Sequence, residues 1–217
     1  MLQIFLQQLA QSSGLELIAV LLAVAYLLLA VREDPRCWYA ALASTLIFLV
    51  LFWQVKLYME SVLQVYYLGM AVYGWYQWRR PDDGLVSPIQ RWHWSQHGIV
   101  IFAVASLSML SGFALERYTD AQSPYLDAFT TWASIVTTYM VTRKILENWA
   151  YWLLIDMLSI YLYLDRGLYF TSLLFAVYIV IIFFGWYRWQ QRYLQQGILD
   201  ERTLHESALD KQNSAPA

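Results

Sequence analysis

The chain contains one hydrophobic segment twice. Residues 38–78 and 149–189 align without a gap at a constant offset of 111 residues. The offset matches Trp38 with Trp149, Leu57-Tyr58 with Leu168-Tyr169, Ser61 with Ser172, Tyr67 with Tyr178, and Gly74-Trp75-Tyr76-Gln77-Trp78 with Gly185-Trp186-Tyr187-Arg188-Trp189. Because it also pairs Glu16 with Asp127 and Arg32 with Arg143, we predict that the repeat begins one helix earlier. An internal repeat in a hydrophobic chain is typical of transporter folds with a site between the two halves.

The composition is that of a membrane protein. Hydrophobic residues make up 59% of the 217-residue chain and charged residues only 14%, whereas a soluble domain carries roughly a quarter charged residues. The 11 Trp and 17 Tyr fit the aromatic belts found at the two membrane interfaces. A net charge of -2 gives no reason to expect a nucleic-acid partner. The single cysteine, Cys37, excludes an internal disulfide and any multi-cysteine metal site.

Seven apolar stretches are candidates for spanning helices, which need roughly 17–25 residues each. We predict them at about Leu15–Val31, Trp38–Trp53, Ser61–Trp78, His97–Phe113, Leu126–Val141, Trp149–Leu164 and Leu168–Tyr187. The predicted organisation is an interfacial segment over residues 1–13, a first three-helix repeat over 14–80, a linker with the fourth helix over 81–125, a second three-helix repeat over 126–189, and a polar cytoplasmic tail over 190–217. We expect the last residues of that tail to be disordered.

The basic residues predict how the chain lies in the membrane, because cytoplasmic loops are enriched in Lys and Arg. One side of the predicted topology holds only Lys56, Arg117 and Arg166, and the other holds the remaining 11 basic residues. This distribution predicts an outside N-terminus and a cytoplasmic C-terminus in the bacterial inner membrane.

The helix count explains the direction of the repeat. A unit of three helices ends on the side opposite its start, and the fourth helix returns the chain, so both units cross the membrane in the same direction. The predicted fold is all-α with a 3+1+3 parallel repeat, as in carriers of the SWEET type. Seven helices also fit a receptor or a rhodopsin. The repeat argues against both, and so does the lack of an intramembrane Lys for a retinal Schiff base.

Asp156 is the most informative side chain, because it falls near the middle of the sixth predicted helix. A carboxylate at that depth costs about 2.5–3.5 kcal/mol on insertion scales, and such residues are functional candidates. Helical spacing places it on one stripe with Trp149, Trp152, Ser159 and Tyr163. Indoles beside a carboxylate suit a flat cationic ligand. The alternative is a protonated Asp156 that hydrogen-bonds a neighbouring helix.

Other polar residues line the predicted helices. On the third helix, Gln64 and Tyr67 share one face, and a buried amide needs a partner from another helix or from a ligand. The fifth helix is rich in hydroxyl residues and contains Trp132 and Thr138, which we predict to line the site. For any single Thr, close helix packing is the competing interpretation. Glu147 is predicted to cap the sixth helix, and Asn148 to lie nearer the site.

Enzyme signatures are missing. The sequence has no phosphate-binding Gly-Lys-Ser/Thr loop, no Gly-x-Ser-x-Gly, no His-Glu-x-x-His and no cysteine pair. His93, His97 and His205 lack metal-ligand spacing, and we predict all three to be solvated. We therefore predict no enzyme activity, no metal and no cofactor. A membrane enzyme would need a paired acid and base, for which only Asp156 is a clear candidate.

Two pairs of motifs resemble the PnuC family of vitamin transporters. The first is Gln64-Val65-Tyr66 followed by Tyr73-Gly74-Trp75-Tyr76-Gln77-Trp78, and the second is Thr142-Arg143-Lys144 followed by Glu147-Asn148-Trp149 and Trp152. The resemblance covers roughly residues 15–190. It implies a 3+1+3 homotrimer that carries nicotinamide riboside, thiamine or riboflavin by facilitated diffusion, followed by phosphorylation that traps the vitamin in the cytoplasm. It also implies that Gln64, Asn148, Trp149 and Trp152 belong to the substrate site.

Two departures from the family pattern bear on the substrate. Riboside carriers typically have Asn at the position of Asp156, and many have Asn two residues before the Tyr-Gly-Trp motif, where this chain has Met70-Ala71-Val72. One polar contact is lost and one negative charge is gained, so thiamine is favoured over nicotinamide riboside. The pyridinium of nicotinamide riboside is also cationic, which keeps that alternative open. A ligand-binding sensor is the alternative of another class, and coupling to protons through Asp156 is undecided.

The two halves differ at the residues that carry this interpretation. Asp156 aligns with Thr45, and Trp152 aligns with Ala41. Recognition is therefore predicted to depend mainly on the sixth helix.

Overall fold

The computed structural model describes residues 14–54, 58–79, 88–119, 123–165 and 169–213. Within these ranges it contains seven α-helices, as predicted: α1 Gly14–Val31, α2 Cys37–Gln54, α3 Tyr58–Arg79, α4 Trp94–Tyr118, α5 Pro124–Thr142, α6 Asn148–Asp165 and α7 Tyr169–Asn213. The interfacial helix predicted for residues 1–13 lies outside the described residues. Trp94–Tyr118 and Ser172–Leu199 are long and apolar enough to span a membrane, and Leu17–Val31 and Cys37–Leu51 are shorter apolar helices.

The helix ends differ from the prediction at two places. α4 begins three residues early because His93 caps it: the His93 ring accepts a hydrogen bond from the Ser95 backbone, and the Gln96 side chain accepts one from the His93 backbone. α7 continues far beyond Tyr187, to Asn213. The residues after Tyr187 are rich in Gln, Leu, Arg and Glu, which are good helix formers. At 45 residues the helix is about 65–70 Å long, so most of the predicted tail is a helical extension.

Six helices pack as a closed ring in the order α1, α2, α3, α5, α6, α7 and back to α1. Among the described helices, α4 packs on α5 alone and lies outside the ring. Its outward face carries exposed apolar residues, among them Ile101, Phe102, Leu110 and Phe113. Such a surface would be costly in water and suits lipid. The centre of the ring is therefore the place where side chains from both halves meet.

Four tryptophans interlock near one end of the ring. Trp38 meets Trp78 edge-on at 5.3 Å between ring centroids, and Trp149 meets Trp189 in the same way, also at 5.3 Å. Trp78 and Trp189 lie 6.1 Å apart. Each aromatic pair contributes about 0.5–1.5 kcal/mol beyond the area it buries. The equal geometry at positions 111 residues apart shows that both matched segments pack their aromatic residues alike.

The indole N–H groups tie the halves together. Trp78 Nε1 donates to the carbonyl of Thr142 at 3.2 Å, and Trp189 Nε1 donates to the carbonyl of Ala30 at 3.1 Å. Each bond joins the end of one half's third helix to the end of the other half's first helix. The two bonds satisfy carbonyls that the helix ends would otherwise leave without a partner.

Two glycines make this packing possible. A Cβ atom on Gly74 would overlap the Trp38 indole, and one on Gly185 would overlap the Trp149 indole. Both glycines are needed because each tryptophan ring lies directly against the backbone of the neighbouring helix.

Replacing Gly185 by Ala is expected to destabilise the protein by about 1–3 kcal/mol, the usual cost of overpacking. Gly69→Ala is the matched control, since nothing lies within 4 Å of a Cβ there. That change should be neutral or mildly stabilising, because Ala is the better helix former. Thermal unfolding of the two purified variants measures the difference. Equal melting temperatures would show that the Trp149 ring can move aside.

Candidate substrate site

The stripe predicted on α6 is its buried face. Trp149, Asp156 and Ser159 are buried and Trp152 is half-buried, whereas Met157 on the opposite face is 56% exposed. The side chain of Tyr163, the last member of the predicted stripe, lies outside the described residues. α6 therefore presents two indoles, a carboxylate and a hydroxyl to the interior of the helix ring.

Asp156 is only 3% exposed. No described residue donates a hydrogen bond to its carboxylate or forms an ion pair with it. Its neighbour across the ring is Tyr178 on α7, which lies within electrostatic range. Burying a carboxylate without a counter-charge is costly, so an ionised Asp156 would be stabilised by a bound cation.

The beginning of α6 leaves polar atoms without protein partners. Asn148 is fully buried, and its amide nitrogen donates to the carbonyl of Ile145 at 2.6 Å. Its amide oxygen and the indole nitrogens of Trp149 and Trp38 are buried without a hydrogen-bond partner in the described part of the chain. Each unsatisfied buried group costs about 1–3 kcal/mol. These three atoms are therefore candidates for hydrogen bonds to a ligand.

Three tyrosines approach one another inside the ring. Tyr26 of α1 is within electrostatic range of Tyr67 on α3 and Tyr178 on α7. Its ring also packs on Trp38, with 5.8 Å between centroids. Aromatic faces from α1, α2, α3 and α7 thus surround the buried face of α6. Such a surround suits a flat or cationic ring.

Sequence reasoning missed Tyr26 and did not select Tyr178. Tyr178 had been matched with Tyr67 by the repeat, and that match was the available signal for it. Tyr26 has no equivalent signal, because Thr137 occupies the matching position. Only a polar-tipped residue inside an otherwise apolar helix pointed to it.

The other predicted site residues are placed unequally. Gln64 is half-buried on α3, one turn before Tyr67. Thr138 is buried, and its hydroxyl donates to the Ser134 carbonyl of its own helix at 2.8 Å. Trp132 donates from its indole nitrogen to Ser111 on α4 at 3.0 Å, and it packs in a separate cluster with Val104. The structure therefore brings Trp132 to the α4–α5 contact and not to the tyrosines and Asp156.

Two predictions near the site were wrong. His97 is not solvated: its ring hydrogen-bonds the Tyr151 hydroxyl at 2.8 Å and stacks on that ring. The carboxylate of Glu147 does not cap α6. It pairs with Arg91 at 2.7 Å and accepts a hydrogen bond from the Trp92 backbone. In both cases the partner comes from a segment more than 50 positions away in the chain, which local patterns do not indicate.

One ion pair joins the two halves beside the tryptophans. Lys144 Nζ lies 3.1 Å from a carboxylate oxygen of Glu33, and the two positions are again 111 residues apart. Both residues adopt the left-handed conformation, with φ of 52° and 56°. The Lys144 side chain is 1% exposed, and its ammonium lies 4.9 Å from the Trp78 ring centroid. Burial lowers the pKa of Lys144, and the charge of Glu33 opposes that shift.

Comparison with known proteins gives this arrangement its family. Residues 13–191 match the family model described as nicotinamide mononucleotide transporter. The chain belongs to this family. The membership identifies it as a membrane transporter of the vitamin type and confirms the resemblance read from the Tyr-Gly-Trp and Asn-Trp motifs.

Three relatives place the chain within the family. It is 25% identical over 205 residues to the nicotinamide riboside transporter PnuC of Escherichia coli, covering 82% of this chain and 85% of the relative. It is 29% identical over 134 residues to the riboflavin/roseoflavin transporter RibM of Streptomyces davaonensis, covering 59% and 62%. The crystal structure of the vitamin B3 transporter PnuC matches its fold with a TM-score of 0.70 at 18% identity, covering 89% of this chain and 88% of that one.

Proposed function

We propose that the chain carries nicotinamide riboside across the bacterial inner membrane by facilitated diffusion. The observation that carries the proposal is the buried, unpaired carboxylate of Asp156 on a face with Trp149 and Trp152. A pyridinium ring would supply the missing positive charge and stack on the indoles. The ribose hydroxyls would bond the orphan oxygen of Asn148 and the half-buried Gln64. The E. coli relative, similar over most of the chain, supports this substrate.

Thiamine, favoured by the sequence alone, becomes the second candidate. Its cationic thiazolium would use the same Asp156 carboxylate, and this chain has Ala71 where many riboside carriers have Asn. The charge argument fits both vitamins, and the relatives favour the riboside. Riboflavin is neutral and would leave the carboxylate unpaired, so it is the least suited of the three.

The proposed mechanism rests on a 3+1+3 parallel repeat of the SWEET type. Helices α1–α3 and α5–α7 would rock against each other around a central site while α4 links them. The matched tryptophan contacts and the closed ring support this arrangement. We place the Glu33–Lys144 pair on the cytoplasmic side, with the N-terminus outside. The homotrimer, and the kinase that would trap the vitamin by phosphorylation, remain predictions from the resemblance.

A binding panel tests the substrate. Nicotinamide riboside at about 100 times its dissociation constant should stabilise the purified protein by about 2.7 kcal/mol, a rise of roughly 5–11 °C in melting temperature for a chain of this size. Thiamine should give a smaller shift and riboflavin none. A larger shift with thiamine would replace the riboside as the proposed substrate.

Flux into proteoliposomes then tests transport. We expect uptake of the stabilising vitamin that stops at equal concentrations inside and outside. Binding without uptake would favour the sensor alternative. Accumulation driven by an imposed proton gradient would contradict facilitated diffusion.

A further inference from the structure

A cleft separates the end of α1 from the middle of α7. Its volume is about 380 Å³, and it is lined by Arg32, Glu33, Arg188, Gln191, Arg192 and Gln195. We call it the basic cleft. Its size is within the range of small-molecule sites, and it lies apart from the buried face of α6. Neither the substrate site nor the tryptophan packing uses its arginines.

The charges of the basic cleft are unbalanced. It contains three arginines and one carboxylate, and that carboxylate, Glu33, already pairs with Lys144. Among the described residues, none of the three arginines has an ion-pair partner, whereas Arg36 pairs with Asp34 and Arg91 with Glu147. Lys144 is also within electrostatic range of Arg192, so its positive charge adds to the cleft's.

The walls of the basic cleft are held at a fixed spacing. Trp189, next to Arg188, donates to the carbonyl of Ala30, two residues before Arg32. Further along α7, the Gln196 side chain accepts a hydrogen bond from the Ile89 backbone at 3.2 Å. A preorganised site of this kind loses less entropy when a ligand binds. The arginines are therefore presented on two fixed helices.

The basic cleft is a property of the second half alone. On α7, Arg188, Gln191, Arg192 and Gln195 share one helical face. At the matching position of the first half, Gln77 replaces Arg188, and α3 ends at Arg79. The nearby Arg143, which matches Arg32, hydrogen-bonds the Tyr73 side chain instead. A general excess of basic residues on one membrane side does not require three unpaired arginines to meet in one cleft.

We propose that the basic cleft binds a phosphate group. Guanidinium groups recognise phosphate oxygens by paired hydrogen bonds, and the glutamines add neutral donors. The phosphate belongs either to a soluble phosphomonoester, such as the phosphorylated form of the imported vitamin, or to an anionic lipid headgroup. A bound phosphate would bridge α1 of one half and α7 of the other. This last step rests on the proposed function, and there it would hold the cytoplasmic side closed.

The first experiment measures phosphate binding to the full-length protein in a neutral detergent. Inorganic phosphate and nicotinamide mononucleotide are titrated at constant ionic strength against chloride. The test variant is Arg188→Gln/Arg192→Gln, whose first change introduces the residue found at the matching position 77. The control is Arg36→Gln/Arg91→Gln, which removes two arginines outside the cleft. We expect at least a tenfold loss of affinity in the test variant and less than twofold in the control.

The second experiment identifies the source. The same variants are placed in nanodiscs of phosphatidylcholine or of phosphatidylglycerol. Arginine-dependent nucleotide binding that phosphatidylglycerol does not reduce assigns the cleft to a soluble phosphomonoester. Arginine-dependent retention of phosphatidylglycerol that excludes the nucleotide assigns it to lipid. Equal binding of both probes by test and control variants overturns the proposal.

Vitamin binding is measured on the same samples. Nicotinamide riboside should bind the test variant as it binds the wild type, because the basic cleft is separate from Asp156. Phosphate binding without vitamin binding would overturn the proposed function and leave the cleft intact. Vitamin binding without phosphate binding would do the reverse.

Discussion

Replacing Asp156 by Asn is expected to weaken binding of nicotinamide riboside by about 10- to 100-fold. A hydrogen bond or contact to a charged group contributes about 1.5–3 kcal/mol, and about 1.4 kcal/mol corresponds to a factor of ten. The substitution keeps the volume of the side chain and removes its charge. Calorimetric titration of the purified variants measures the loss. Thiamine should lose a similar factor, since it uses the same charge.

Two controls separate this charge effect from a loss of folding. Asp165→Asn removes a carboxylate from the same helix at an exposed position, so cation binding should be unchanged. A neutral ring such as nicotinamide should bind Asp156→Asn as well as it binds the wild type, or better. If cation affinity is equal in Asp156→Asn and the wild type, the carboxylate does not face the ligand. Asp156 would then act as an interhelical partner.

Most of the fold could be predicted because the membrane simplifies the problem. In lipid the backbone must satisfy its own hydrogen bonds, so apolar stretches of sufficient length become helices. Hydropathy therefore located all seven helices of the described chain. It could not locate the end of α7, because beyond Tyr187 the helix continues outside the lipid. There it depends on the intrinsic helix propensity of a polar sequence.

The site could be predicted in part. The face of α6 was accessible because helical spacing fixes which side chains share a stripe. Trp132 was misplaced since its helix has two neighbours, and the sequence does not indicate which of them receives the indole. Trp132 lies against α4. The partners of His97 and Glu147 depend on how distant loops meet, and no local spacing encodes that.

The contact between Glu33 and Lys144 illustrates what a repeat can indicate. The offset of 111 residues was tested on similar residues such as Arg32 and Arg143, and the adjacent positions of opposite charge were passed over. In a parallel repeat, positions close to the axis that relates the halves lie opposite their own counterparts. A Glu matched with a Lys at such positions predicts an ion pair. Searching a repeat for complementary residues is therefore as informative as searching it for identical ones.

The largest change in stability is expected from Lys144→Met. It leaves the Glu33 side chain, which is only 10% exposed, without its counter-charge, and breaking a buried pair in this way costs about 3–5 kcal/mol. The melting temperature should fall by roughly 6–20 °C for a chain of this size. Arg36→Met is the control: it breaks a pair of similar length, 2.7 Å, but the Arg36 side chain is 78% exposed. Its effect should stay within about 1 kcal/mol.

The exchange Glu33→Lys/Lys144→Glu distinguishes the pair from the fit of either side chain. Both positions have the same left-handed backbone conformation and face each other near the interlocked tryptophans, so the reversed pair should form. We expect it to restore at least half of the stability lost in Lys144→Met, whereas Lys144→Glu alone sets two carboxylates against each other and should be the least stable variant. Thermal unfolding of the three variants in one detergent measures the order. If the exchanged protein is no more stable than Lys144→Glu, the surroundings of the pair and not its mutual attraction determine its orientation, and the equivalence of the two halves does not extend to their charges.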